Sequence, residues 1–263
     1  MNNLQILFQG TSSRIAKPLA SSVLRNLTTA ELCCWKNNPQ PLFRVERKGM
    51  REIVTDQKMS DHLDSFIELD LTQLECDAND TIILMNPSAL CLRNPDHLWP
   101  EQIQGEFSST QPDLLWMEDR KERLRGSPFA ALLTQEELAN YGHRFVASTG
   151  MVACRGSCLD RLFAVWKDIL ESNTSLDESI REKAVWNKVL VSLANEIKQK
   201  PFERGEVIPV REREIDWDEV RNACIVSVSD WKDEKAKDYF LRCLYFGHFF
   251  GDESGLMLNI LDP

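Results

Sequence analysis

The run Thr81-Ile82-Ile83-Leu84-Met85 constrains this chain more than any other segment. It is apolar and β-branched without alternation, the pattern of a strand buried on both faces in a mostly parallel sheet covered by helices. It stops at Asn86-Pro87-Ser88, three turn formers, before apolar residues resume in Ala89-Leu90-Cys91-Leu92. In open α/β sheets ligands bind at the carboxyl ends of strands, so this interruption is the first place to look for a site.

Strands and helices alternate along the rest of the sequence. LQILFQG (4–10) reads as a buried strand closed by Gly10, and KPLASSVLRNL (17–27) as a helix with Pro18 in its first turn. PLFRVERKG and REIVTD (41–56) fit short extended segments, and FVASTGMVACRG (145–156) a strand in which Gly150 permits a bend or close backbone approach. LTQEELANYG (133–142) has Thr134 and Glu137 at capping-box spacing. Residues 157–172 and 178–200 carry apolar side chains at helical spacing, with Trp166 and Trp186 at core positions. ACIVSVSDW (223–231) is a late strand, followed by a terminal helix that contains His248 packed between aromatics. The charged stretches 94–101 and 118–128 read as surface loops. The alternation predicts a three-layer α/β/α sandwich with a central mixed sheet, one domain over residues 1–263.

The formal charge of −10 works against nucleic-acid binding, which recruits a basic face. No apolar stretch has the length of a membrane span, and no basic-then-apolar leader is expected, so we expect a cytoplasmic protein without an integral membrane segment. The eight cysteines lie mostly in apolar runs, as reduced core thiols do. Cys154 and Cys158 lack the second pair or nearby histidine of a zinc site. Signatures of a P-loop, a nucleophile elbow or a zinc protease are absent.

The flank Leu90 to Trp99, ALCLRNPDHLW with its first residue, resembles the segment that follows the apolar–Asp–x–Asp–apolar strand in sugar transferases of the GT-A fold. Here Asn86-Pro87-Ser88 occupies the place of the acidic pair. The order of the other segments is similar too. ILFQGTSSRIAKPLASSVLRN resembles the opening strand, nucleotide loop and first helix, and Ser148-Thr149-Gly150 stands where that family has Asn-x-Gly. REKAVWNKVL resembles an Asp-Gln-x-x-x-Asn stretch, with Glu182 and Lys183 in place of acid and amide and Asn187 retained. CIVSVSDWKDEK resembles a late strand that often carries a metal-binding His, replaced by Ser227.

The resemblance implies a GT-A-like fold and transfer of a sugar from a nucleotide-sugar, such as a UDP- or GDP-sugar, to an unknown acceptor. It assigns Gln9, Gly10, Thr11, Ser12 and Arg14 to the nucleotide, with Asn86 and Ser88 near its diphosphate. Ser148, Thr149, Gly150 and Lys183 fall to the sugar, and Glu182 and Asp230 to catalysis. A diphosphate leaving group gains charge as its bond breaks, and a hard Mg²⁺ or Mn²⁺ usually compensates it. Asn86, Ser88 and Ser227 offer only neutral oxygens, so no metal or other cofactor is expected. The compensating charge then falls to a cation such as Arg14, Lys183, Lys232 or Lys235. Two alternatives remain: a catalytically inactive GT-A-like binding protein, and an unrelated α/β hydrolase or transferase.

Overall fold

A computed structural model of the chain describes residues 4–10, 13–26, 31–42, 48–56, 66–67, 73–74, 76–94, 98, 112–212 and 214–250, excluding the side chains of 13–15 and 250. The run 81–85 forms β4 (Thr81–Met85), flanked by β1 (Leu4–Gln9) in parallel and by β7 (Phe145–Arg155) antiparallel. Beyond β1 lie β2 (Glu31–Lys36) and β3 (Met50–Val54), both parallel. Beyond β7 lie β6 (Leu114–Arg123), antiparallel to it, and the short β8 (Gln199–Pro201). Among the described residues this mixed sheet has seven strands in the order β3-β2-β1-β4-β7-β6-β8.

Unbroken apolar sequence in β1 and β4 serves two cores at once. Leu7, Ile82 and Leu84 join one cluster with α3 (Gly156–Ser172) and α4 (Glu178–Ser192). Ile6, Phe8, Ile83 and Met85 join another with Ala16, Leu19, Ala20 and Val23 of α1 (Ser13–Asn26). Helices thus cover both faces, which is what burial of alternate side chains on both sides requires. The α3–α4 layer is locked by Trp166 and Trp186, both fully buried with ring centroids 4.9 Å apart. Such a ring pair contributes about 0.5–1.5 kcal/mol beyond its area.

The turn formers after β4 act as a junction between sheets. The chain leaves the large sheet at Met85, turns through Asn86-Pro87-Ser88 and enters β5 (Ala89–Cys91). β5 pairs antiparallel with β10 (Ile225–Ser227), which pairs in parallel with β9 (Val207–Pro209). The face of this small sheet is covered by α5 (Trp217–Asn222) and α6 (Glu234–Phe250) through Val220, Phe240, Leu241 and Leu244.

Several expectations are corrected. α1 begins at Ser13, so Pro18 sits in the helix interior and removes one i→i−4 bond there. α4 ends at Ser192, not at residue 200. Turn bonds from Glu196 and Ile197 N–H to Leu193 O continue the rise, so Leu193 and Ile197 stay in the core without a helix. Residues 118–123 belong to β6 and are not a loop. β2, ELCCWK, was not anticipated, because two adjacent cysteines carry no period. Of the segments 41–49 and 94–101, residues 43–47, 95–97 and 99–101 lie outside the described residues. The capping box forms as expected at α2 (Gln135–Tyr141), with Thr134 Oγ1 accepting from Glu137 N–H and Glu137 Oε2 from Thr134 N–H.

Candidate functional site

The ends of β4 and β10 meet the middle of β7 at one point. Asn86 N–H donates to Gly150 O at 2.9 Å, and Val228 N–H donates to Ser88 O at 2.9 Å. β7 keeps its pairing to β4 at Met151 but jumps in register against β6, from Trp116↔Val152 to Met117↔Ser148. Thr149, Gly150 and Met151 therefore form a bulge, a device that re-aims a strand beside a site. A Cβ on Gly150 would lie 2.4 Å from Ser227 Oγ and 2.7 Å from Ser227 Cβ, so only glycine fits against β10. Asn86, Ser88, Gly150 and Ser227 are thus gathered at one point.

Their chemistry does not suit a divalent cation. Asn86 Oδ1 is used in an Asx turn, accepting from Ser88 N–H at 2.9 Å. Ser227 Oγ accepts weakly from Ser229 N–H at 3.3 Å. The oxygens left are neutral hydroxyls, and a hard cation wants carboxylates among its ligands. Among the described residues no group of three His, Cys, Asp or Glu side chains is placed to hold a metal. Among the described residues the buried hydroxyls of Ser88 and Ser148 have no hydrogen-bond partner, an arrangement that leaves polar capacity unspent.

A charged pair adjoins this point. Lys183 Nζ lies 2.6 Å from Asp230 Oδ2 and 5.0 Å from the centre of the Phe129 ring. The site end of α4 is fixed by Asn187, whose Oδ1 accepts from Ala147 N–H at 2.9 Å while its Nδ2 donates to Ala147 O and Lys183 O. Burial pushes the Asp230 carboxyl above its ordinary range; Lys183 opposes the shift, and Glu182 and Asp119 add to it. Asp119, on β6, is 3% exposed. Its Oδ2 accepts from Arg211 Nε at 3.1 Å and Nη2 at 2.7 Å. The charge run 118–128 hides Asp119 in the sequence, because it resembles a solvated loop. A strand period within it, with Met117 and Asp119 buried around a half-buried Glu118, is the faint signal that was available.

The other candidates divide. Gln9 ends β1 and is buried, while Gly10 N–H donates to Trp35 O at 2.6 Å, so that amide is not open to a nucleotide. The cation beside Gly10 is Lys36, which is engaged by Glu52 and by Gln40 O. Thr11 and Ser12 lie outside the described residues, as does the side chain of Arg14. Ser148 and Thr149 are buried on β7. Lys232 and Lys235 are exposed. His248 is exposed rather than packed, although its Nε2 lies 2.5 Å from Leu92 O and its ring meets Phe249 edge-on. Among the described residues no helix is long and apolar enough to cross a membrane.

No protein-family model matches the chain, and neither does any curated protein. Among solved structures, it is similar to the apo structure of WbbM, a bifunctional glycosyltransferase, with a TM-score of 0.59 at 8% identity. The similarity covers 98% of this chain and 51% of that one, so the chain spans about half the length of the structure it matches. Together with the mixed seven-stranded sheet and its helical layers, this gives a glycosyltransferase-like fold of GT-A type.

Proposed function

We propose that the protein transfers a sugar from a nucleotide-sugar to an acceptor without a divalent metal. The observation that carries this reading is the Lys183–Asp230 pair beside the junction of Asn86, Ser88, Gly150 and Ser227. A glycosyltransferase-like fold supplies the frame. Where the family's metal ligands are replaced by neutral oxygens, Lys183 supplies a cation for the departing diphosphate. Ser148 to Gly150 border the sugar, and Thr11, Ser12 and Arg14 take the nucleotide, since the Gly10 amide is engaged by Trp35 O. Asp230, kept easy to protonate by burial, serves as the base, with Glu182 alongside.

The second reading, an inactive GT-A-like binding protein, has its own support. Asn86, Ser88, Ser148 and Ser227 are all at most 3% exposed, and Asn86 Oδ1 is already engaged. Calorimetric titration with UDP and with GDP, in Mn²⁺ and then in EDTA, separates the possibilities. Binding unchanged by EDTA, followed by turnover of a UDP- or GDP-sugar, supports the transferase. Binding without turnover favours the inactive relative. Binding that requires Mn²⁺ refutes the metal-free site.

A further inference from the structure

The gap between the two sheets has no assigned role. β8 pairs only with Leu114, Leu115 and Trp116, so β6 runs on beyond β8 from Glu118 to Lys121. There it faces β9, the outer strand of the small sheet among the described residues. The two edges enclose a cleft of about 230 Å³. That is below the roughly 300–1,000 Å³ of pockets for drug-sized ligands, which suits one sugar ring. The walls carry both signs, Glu118, Asp119 and Glu219 with Arg120, Lys121 and Arg204, while Val207, Ile208 and Pro209 supply an apolar side.

This balance selects a ligand class. Three acids and three cations give no net attraction for a nucleotide or another strong anion. A lipid tail would desolvate those charges with nothing in return. A hydroxyl both donates and accepts, so a neutral polyol satisfies carboxylates and guanidinium groups together. Among the described residues, no ion pair or side-chain hydrogen bond engages the Arg204 guanidinium or the Glu219 carboxylate. The cleft also adjoins the candidate site, since Asp119 lines it and acts electrostatically on Asp230.

We propose that this cleft holds the acceptor, a neutral saccharide bound between β6 and β9. The proposal rests on the transferase reading of the neighbouring site. In the reaction an acceptor hydroxyl oxygen bonds to the anomeric carbon as the carbon–oxygen bond to the diphosphate breaks. The bonding pair leaves with the diphosphate, and the hydroxyl proton passes to the Asp230 carboxylate.

The test is saturation-transfer NMR on the whole chain with methyl glycosides of glucose, galactose, mannose and N-acetylglucosamine, repeated on R204A/E219A. Both side chains are exposed, so the fold tolerates their loss. We expect at least one glycoside to bind the parent and to lose about tenfold or more in affinity in the variant. UDP or GDP titrations of both proteins should agree. No glycoside signal that depends on Arg204 and Glu219 overturns the proposal, as does binding of octyl glycosides alone. Glycoside binding with no nucleotide binding leaves the cleft standing and removes the transferase reading. Nucleotide binding with no glycoside binding does the reverse.

Discussion

Gly150→Ala tests the point on which the site depends, the meeting of β7 and β10. The new methyl group would fall 2.1 Å from Met117 Cε, 2.4 Å from Ser227 Oγ and 2.7 Å from Ser227 Cβ. Met117 can yield, because its terminal methyl swings on a flexible side chain. Ser227 cannot yield as easily. Its Cβ is rooted in a strand paired on both sides, to Ala89 and to Pro209. Overpacking of that kind costs about 1–3 kcal/mol. At about 2–4 °C per kcal/mol for a chain near this size, thermal unfolding should fall by roughly 2–12 °C. Ser227→Gly removes both obstructing atoms at its own cost, about 0.5–1 kcal/mol for a strand glycine. The readout is therefore the double-mutant cycle. G150A/S227G should show a favourable coupling of about 0.5–3 kcal/mol, as residues in contact do. A G150A protein as stable as the parent, or a cycle additive within about 0.5 kcal/mol, refutes the contact and the site built on it.

Three further outcomes follow from other contacts. Lys183→Met should weaken UDP and GDP binding by about 10–100-fold in calorimetry, the value of a charged hydrogen bond; undiminished affinity removes Lys183 from the proposed role. Burial would raise the Glu137 carboxyl, but the Lys188 ammonium at 2.6 and 2.8 Å and the Thr134 N–H outweigh it and hold the group below its ordinary range. Its contribution is full above the unfolded value of about 4.3 and is lost as pH falls through the lower folded value, so E137Q should flatten that acid limb of a denaturation-versus-pH series. Of the eight cysteines only Cys76 and Cys158 are half-buried, and burial pushes the Cys34 thiol up to about 12. A thiol reagent at pH 8 should react fast with those two alone, and C76S/C158S should abolish the fast phase.

Legibility in the sequence followed the physics of each segment. β4 could be read because a strand buried on both faces has no polar alternation to imitate anything else. Gly150 could be read because a glycine inside such a strand needs a reason, and Ser227 supplies it. β6 could not. Its outer half lacks a β8 partner, its residues alternate between buried Asp119 and exposed Arg120, and the mixture resembles a solvated loop. The end of α4 failed for the opposite reason, since turn bonds preserve the apolar spacing after the helix has stopped. Within the site, the junction at Asn86-Pro87-Ser88 was visible as a cluster of turn formers. The Lys183–Asp230 pair was not, because a contact across 47 residues leaves no local pattern.

The charges around that pair predict how a diphosphate would enter. Lys183 on α4 and Arg211 beyond β9 face Asp230 after β10, Asp119 and Glu122 on β6, and Glu182 on α4. Four carboxylates against two cations leave little for an anion unless one carboxylate gives way. Asp230 is the one prepared to, because burial and its acidic neighbours already favour its protonated form. A product diphosphate that draws Lys183 away removes the contact that opposes protonation, and in the product complex Asp230 already holds the acceptor's proton, so binding of UDP or GDP should be accompanied by proton uptake at Asp230. The sign follows: affinity for UDP or GDP rises as pH falls toward the Asp230 value. Titrations in buffers of different ionisation enthalpy measure the uptake. D230N, which cannot titrate and holds Lys183 less firmly, should bind more tightly and lose that part of the pH dependence, which also subtracts the titration of the nucleotide's own phosphate. Equal proton uptake by both proteins would mean that Lys183 stays with Asp230 and that the compensating charge comes from elsewhere.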